Sequence, residues 1–296
     1  MADDFLPVDF ADPWEHVRLL SDRVRNDALL QLLTRRAPGA RVLEVGCGTG
    51  LLSCVAARLG ARRVIAVEQT ALAERARQLV ADNGLQDVVS VVEARIEDVA
   101  PEPVDLAFSE LLNADPFNEG VVSAMQAAAR WVAPGGWLSP RRLKVHVALA
   151  YAEEPAVEYA AASREVARIC EAHGLRAGVL QDTLAVEHPQ RIVTSLERPV
   201  SEVATPFELT IGPELALPAP VVVRVRAKVT GTVAGAIVWF AAEVDEGCGC
   251  RTRRGGSHWG QLVCGWRRGR RVRVGEQVAL RVRLVGDQLL VDVVAE

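Results

Sequence analysis

Arg41-Val-Leu-Glu-Val-Gly-Cys-Gly-Thr-Gly-Leu-Leu-Ser-Cys54 is the stretch that decides the fold. Val42, Leu43 and Val45 read as a short buried strand, Gly46 to Gly50 as a turn, and Leu51 as the start of a helix. A strand that runs through glycines into a helix builds a tight turn with exposed backbone N–H groups. The missing Cβ atoms let a cofactor approach the main chain closely. The turn spells G-x-G-x-G, not the dinucleotide G-x-G-x-x-G. It fits a nucleotide-type cofactor, and the rest of the chain has to say which one.

Working outward, residues 41–138 alternate strand and helix. Val64–Val67 is a second strand closed by Glu68, Val88–Val92 a third, and Val104–Phe108 a fourth that ends in Ser109-Glu110. Helices are expected from 51 to about 59, over roughly 71–82 and from about 120 to 132. This alternation implies an α/β, Rossmann-like parallel sheet covered on both faces. Ligands of such sheets bind beyond the carboxyl ends of the strands, where the strand order reverses. Gly46–Gly50, Glu68, Glu97 and Glu110 all fall at those ends. Upstream, Leu19, Leu20, Val24, Leu29, Leu30 and Leu33 recur at helical spacing, so a helix is expected from Glu15 to Pro38-Gly39. His16, Asp22 and Arg25 lie between its apolar positions, and on local pattern alone they form a solvated face.

After Pro140 the pattern changes. Leu143–Leu149 alternates like a strand, Glu153 to His173 reads as a helix, and from about 192 the text is β throughout. Strands that alternate apolar residues with Arg expect a sheet with one wet face, in a sandwich or a barrel. The expected division is therefore 1–140, an N-terminal helix plus cofactor-binding domain, and 141–296, an all-β domain.

The composition excludes several classes. Half of the 296 residues are hydrophobic and about a quarter charged, as in a globular protein with real cores. No apolar run reaches membrane-spanning length, and Met1-Ala-Asp-Asp lacks the basic start of a signal peptide, so a cytoplasmic location without a membrane partner is expected. A net charge of −4 gives no reason to expect nucleic acid. The basic residues are almost all Arg, which with abundant Ala, Val and Gly points to a GC-rich, bacterial genome. Six scattered cysteines imply reduced thiols. Cys248, Cys250, His258 and Cys264 match no standard zinc spacing, and no metal is expected.

An acidic residue at the end of the second strand, Glu68, would accept bonds from two ribose hydroxyls, and Glu97 sits where a carboxylate can take an adenine amino group. Those two grips with this form of turn favour S-adenosylmethionine over a nicotinamide dinucleotide.

Four stretches in order resemble the protein arginine methyltransferases. His16-Val-Arg-Leu-Leu-Ser-Asp-Arg-Val-Arg25 is similar to the family's H-x-x-M-L-x-D-x-V-R, and Val42–Leu52 to its V-L-D-V-G-C-G-T-G-I-L. Ser109-Glu110 through Glu119 resembles the double-glutamate loop with the same spacing, and Ser257-His258-Trp259 the T-H-W loop. The resemblance implies a nucleotide-type domain followed by a β-barrel, with an inserted helical arm at about 153–189 that embraces a second subunit in a homodimer. It also places a cis proline at the junction, here Pro140. On this reading the cofactor-binding residues are Arg25, Glu44, Gly46, Cys47, Gly48, Gly50, Leu51, Glu68, Gln69, Ile96, Glu97 and Glu110, with Arg25 pairing the cofactor's carboxylate. Glu110, Glu119, His258 and Asp22 are the catalytic set.

The chemistry asks for such a set. Arginine is cationic at all accessible pH, with its lone pairs delocalised. Two carboxylates on one loop can fix the guanidinium plane by charge-assisted bonds and draw its charge to one end, leaving the other nitrogen a better nucleophile. Most of the acceleration in an in-line displacement then comes from positioning and electrostatics. His258, oriented by Asp22, is either a proton relay or a packed barrel histidine. Two departures stand out. The family's N-terminal Y-F-x-x-Y segment is absent, with Phe5, Phe10 and Trp14 as its only possible replacements. Leu111–Asn118 lacks the family's W-M-G-Y aromatics, and its extra carboxylate, Asp115, either acidifies the pocket or caps a turn. The acceptor expected is arginine in a peptide or protein. The alternatives are a small molecule or another nitrogen or oxygen nucleophile, and a cofactor-binding scaffold without turnover.

Overall fold

The computed structural model describes residues 19–151, 164–176, 190–193 (backbone only), 198–252 and 258–294. Its order is α1 (Arg23–Arg36), β1 (Arg41–Val45), α2 (Leu51–Arg58), β2 (Arg63–Glu68), α3 (Leu72–Asp82), β3 (Val89–Glu93), a 3-10 turn (Ile96–Asp98), β4 (Val104–Ser109), α4 (Val121–Ala129) and β5 (Val132–Ser139). Then come β6 (Arg142–Ala150), β7 (Gln190–Val193), β8 (Ala204–Thr210), β9 (Val221–Arg226), β10 (Gly231–Asp245), β11 (Cys248–Arg251), β12 (Gln261–Val272), β13 (Gln277–Val285) and β14 (Gln288–Val293).

The first sheet is parallel in the order β3-β2-β1-β4-β5, so the strand order reverses between β1 and β4. Register pairs Val45 with Ser109 and with Val67, which sets the first glycine of the turn beside both Glu110 and Glu68. The Ser109 hydroxyl donates to the Val45 carbonyl at 2.8 Å and locks the two strand ends together. Leu43, Val45, Ile65, Val67 and Ala107 form a fully buried face with Ala124, Ala127, Ala128 and Trp131 from α4 and its end. At roughly 25 cal/mol per Å² of apolar surface, this burial is the main force holding the strand ends in register. The small alanines let α4 lie close on the sheet.

The chain separates into two compact units. The first joins the chain up to Lys144 with Glu208–Leu217 and Ala241–Trp259; the second joins Val145–Phe207, Pro218–Phe240 and the chain from Gly260. The second half is built as a sheet in the order β7-β12-β10-β6-β8, with β11 on β10, and a sheet in the order β14-β13-β9. The β10–β11, β10–β12, β12–β7, β13–β14 and β13–β9 pairings are antiparallel. The Trp266 indole donates to the Val291 carbonyl at 2.8 Å and ties the two sheets.

Two details differ from, or lie beyond, the sequence reading, and one, the cis proline at 140, agrees with it. The N-terminal helical segment does not run through Asp22: Asp22 is extended (φ −72°, ψ 95°) and its side chain accepts the Arg25 N–H, so it starts a new helix. An aspartate that caps competes with helix continuation, and apolar periodicity does not register that. The Ser139–Pro140 bond is cis. Residues 164–172 are helical and 173–176 turn away from that helix, while 153–163 and 177–189 of the segment expected to form the arm, together with His16, Phe5, Phe10, Trp14 and Ser257, lie outside the described residues.

Candidate active site

The glycine turn is built by two carboxylates. Gly46, Gly48 and Gly50 take φ of 70°, 55° and 78°, a left-handed region that side-chain-bearing residues rarely enter. Glu68, buried at the end of β2, accepts the Gly48 N–H at 2.9 Å with one oxygen, and the Thr70 N–H and hydroxyl at 2.9 and 2.7 Å with the other. From β1, Glu44 reaches across the turn to the Ser53 hydroxyl in the first turn of α2. That helix starts at Gly50 without a side-chain cap, so Glu44 serves it from outside. Burial pushes the Glu44 carboxyl up to about 8, against the opposing pull of Ser53 and Arg25. A Cβ at Gly48 would meet open space, whereas one at Gly46 would come within 2.8 Å of Leu111 and one at Gly50 within 3.0 Å of Ala76. The turn therefore packs on the loop after β4 and on α3, and stays open over its middle.

Around it, Cys47 and Ile96 are buried, Leu51 and Gln69 are exposed, and Glu97 lies in the 3-10 turn after β3. Burial works against the Glu97 charge, but its own amide, Ser123 and Arg95 outweigh it and lower its pKa.

The second cluster gathers on Glu110. Arg25 Nε donates to Glu110 Oε2 at 2.7 Å, and the Trp259 indole donates to Oε1 at 2.9 Å. Arg25 Nη1 also donates to Asn26 Oδ1 at 2.8 Å. Glu119, nine residues on, is pushed up to about 8, first by burial and then by the neighbouring charge of Glu110, against the opposing pull of Asn113. Part of the Glu119 surface still reaches solvent. Arg25, Leu29, Ser109, Glu110, Leu112 and Trp259 line a small common pocket with Cys250.

Asp22 completes the arrangement. Its Oδ1 accepts the Arg25 N–H at 3.0 Å, and its Oδ2 accepts the His258 N–H and meets His258 Nδ1, each at 2.9 Å. Burial alone would raise the Asp22 pKa, but these bonds from His258 and Arg25 hold it below the ordinary carboxylate range. The bond at Nδ1 sets the orientation of the ring. The cap of α1 and the orientation of His258 thus depend on one side chain.

Comparison with known proteins gives this geometry a family. Residues 42–136 match the model of a methyltransferase domain. The arginine N(omega)-methyltransferase of Streptomyces achromogenes subsp. streptozoticus is 30% identical over 283 residues, 91% of this chain and 76% of that protein. The chain belongs to the arginine N-methyltransferase family. The protein arginine N-methyltransferase PRMT10 of Arabidopsis thaliana is 38% identical over 135 residues, and that match spans 35% of its length. Among solved structures, the open conformation of Arabidopsis thaliana protein arginine methyltransferase 10 superposes with a TM-score of 0.79 at 24% identity, covering 93% of this chain and 88% of that one. The Trypanosoma brucei PRMT1 enzyme–prozyme complex with AdoHcy follows at a TM-score of 0.75 and 23% identity, covering 93% and 88%. These two likenesses concern the fold.

In this arginine N-methyltransferase, the sequence-expected residues fall into two groups. Glu44, Gly46, Cys47, Gly48, Gly50 and Glu68 surround the turn. Asp22, Arg25, Glu110 and His258 form one connected hydrogen-bond network, with Glu119 beside Glu110. Sequence reasoning missed Ser53, Thr70 and the indole of Trp259 as partners in these networks. Thr70 lies two residues beyond the end of β2 and Ser53 in the first turn of the helix after β1, where a hydroxyl can answer a carboxylate; Trp259 was signalled only by its place in the Ser257-His258-Trp259 triplet. Among the described residues, no group of three or more His, Cys, Asp or Glu side chains could hold a metal ion.

Proposed function

We propose that the chain transfers a methyl group from S-adenosylmethionine to a guanidinium nitrogen of arginine in a peptide or protein. The observation that carries this reading is the pair Glu110 and Glu119, set at the two ends of one loop beside the glycine turn, with Arg25 and Trp259 fixing the first and burial enclosing the second. The residues fit the cofactor: a positive-φ turn open over Gly48, a carboxylate at the end of β2, and a cation, Arg25, bonded to Glu110 at the end of β4. Arg25, Glu44, Gly46, Cys47, Gly48, Gly50, Leu51, Glu68, Gln69, Ile96, Glu97 and Glu110 would hold it.

When bound, S-adenosylmethionine supplies an electrophilic methyl on a sulfonium sulfur. Glu110 and Glu119 orient the guanidinium and concentrate its charge on the nitrogens they face, so that the remaining nitrogen keeps a usable lone pair. That nitrogen gains the methyl and gives up one proton, which His258, held by Asp22, accepts at Nε2. The reading extends to a domain division at residue 140, with 1–140 carrying the cofactor and 141–296 the barrel. It also extends to a homodimer formed through the arm at about 153–189, and to a bacterial cytoplasmic enzyme without nucleic-acid or membrane partners. Among the described residues no helix is long and apolar enough to cross a membrane.

A second reading, a small guanidino acceptor such as free arginine, draws on Leu111 and Ala114 standing where the family's W-M-G-Y has aromatics, and on the Streptomyces relative, whose name specifies arginine alone. Intact-mass analysis of arginine peptides, free arginine and non-arginine acceptors after incubation with cofactor separates the two. Product on a non-arginine acceptor, with none on arginine, rejects both.

A further inference from the structure

The buried carboxyl of Glu68 closes β2, and its two oxygens have different neighbours. Oε2 accepts the Gly48 N–H at 2.9 Å, where an added Cβ would meet nothing within 4 Å and the turn stands open. Oε1 accepts the Thr70 N–H at 2.9 Å and the Thr70 hydroxyl at 2.7 Å. That hydroxyl is itself anchored by the start of α3. Its oxygen accepts the Leu72 N–H at 3.3 Å, and the Thr70 carbonyl accepts the Ala73 N–H at 3.1 Å. An ionised carboxylate offers about four acceptor directions, two on each oxygen. Thr70 fills both on Oε1 and Gly48 fills one on Oε2, so the direction that remains is on Oε2, beside the open stretch of the turn.

We propose that Thr70 is a positioning residue of the cofactor site: it occupies Oε1 of Glu68 and so leaves Oε2, on the open side of the turn, to meet the cofactor's ribose. This role rests on the placement of the cofactor at Glu68 proposed above. The residue type matters. A buried carboxylate needs donors, and an arginine would supply them as a fork across both oxygens, leaving neither for a ligand. A threonine hydroxyl serves one oxygen only. Its β-branch restricts χ1, so the carboxyl is held in one orientation before the ligand arrives and less freedom is lost on binding. Capping α3 would not require this residue. A cap needs only an acceptor, which Asp would supply as well, whereas the bond to Glu68 needs a donor.

The test measures S-adenosylhomocysteine binding by calorimetry in the parent enzyme and in Thr70→Val, Thr70→Ser, Thr70→Asp and Glu68→Gln. Loss of a bond to a charged group predicts about a tenfold rise in Kd for the Val variant, which keeps the shape and the β-branch. The Ser variant keeps the donor and should stay within about threefold of the parent, its looser χ1 being the only loss. The Asp variant can still accept from α3 but sets a second carboxylate against Glu68, and should bind more weakly than Val. An analogue lacking both ribose hydroxyls gives the readout that a merely structural role would not move: parent and Val variant should bind it equally. A Val penalty of the same size on that analogue would overturn the proposal. Parental affinity in the Val variant, or in the Asp variant if Val does not fold, overturns it too; with Glu68→Gln weakened, the placement of the ribose then still stands. Glu68→Gln with parental affinity rejects that placement and the role of Thr70 with it.

Discussion

Glu119 and Glu110 are both carboxyls on one loop, and the structure treats them differently. Glu110 has a donor on each oxygen, whereas Glu119 is pushed up to about 8. A guanidinium binds the ionised acid, so kcat/KM should climb as pH rises through 8, while kcat itself should show that limb at lower pH, because the bound cation favours the carboxylate. A flat kcat/KM profile between pH 6 and 9 would contradict this. Replacing Glu110 with Gln keeps the size and removes the charge, and should lower kcat by about 10²- to 10³-fold, measured by methyl transfer to a peptide. Trp259→Phe removes one N–H from Glu110 and should cost about tenfold in kcat/KM with cofactor affinity unchanged. At this scale the sequence disclosed the charged residues by their spacing and their places at strand ends. It did not disclose the partners. Trp259 lies 149 positions from Glu110 and Arg25 lies 85, distances at which only the folded chain decides who meets whom.

Helix α1 and the glycine turn show what the elements contribute. Asp22 caps α1 and holds His258, so its substitutions separate two effects. Asp22→Asn can still cap, and should leave thermal stability nearly intact while lowering turnover; Asp22→Ala should lower both, the lost cap costing about 1 kcal/mol. Equal losses of stability in the two variants would remove the cap from the account. In the turn, Gly46→Ala and Gly48→Ala both place a side chain at positive φ, a strain of about 1–2 kcal/mol. The Gly46 variant also drives into Leu111, the residue after Glu110, and should therefore damage acceptor turnover as well as cofactor binding. The Gly48 variant should damage cofactor binding alone. Strand–turn–helix was legible here because glycine spacing and apolar runs are local signals. The break at Asp22 was not, because Leu19, Leu20 and Val24 continue the helical period across it.

For the whole molecule, the sheet order β3-β2-β1-β4-β5 is what converts scattered acids into a site, by putting the ends of β1, β2 and β4 side by side. Strand–helix alternation predicts a parallel sheet but not its strand order, and the contribution of residues 241–259 to the first compact unit had no local signal at all. Fold stability carries the mark of the raised carboxyl Glu44. Its folded pKa of about 8 lies above the unfolded value, so the stability it contributes is full below that unfolded value and is lost as pH rises to about 8. Glu44→Gln should flatten that decline in urea unfolding between pH 5 and 8. The C-terminal end of α1 is tied down by a different device: Arg35 and Arg36 pair with Asp245, whose side chain is fully buried, while Arg36 lies over the Trp137 ring at 3.4 Å. Other ion pairs here, such as Lys144 with Glu208 or Arg77 with Glu93, face water on both sides. Ions in solution screen exposed pairs within a Debye length of about 8 Å at physiological strength, and reach a sequestered carboxylate far less. Concentrated salt would thus loosen the surface first, and the helix that presents Asp22 and Arg25 would keep its seat in a brine that had already stripped most of the protein's other charge pairs.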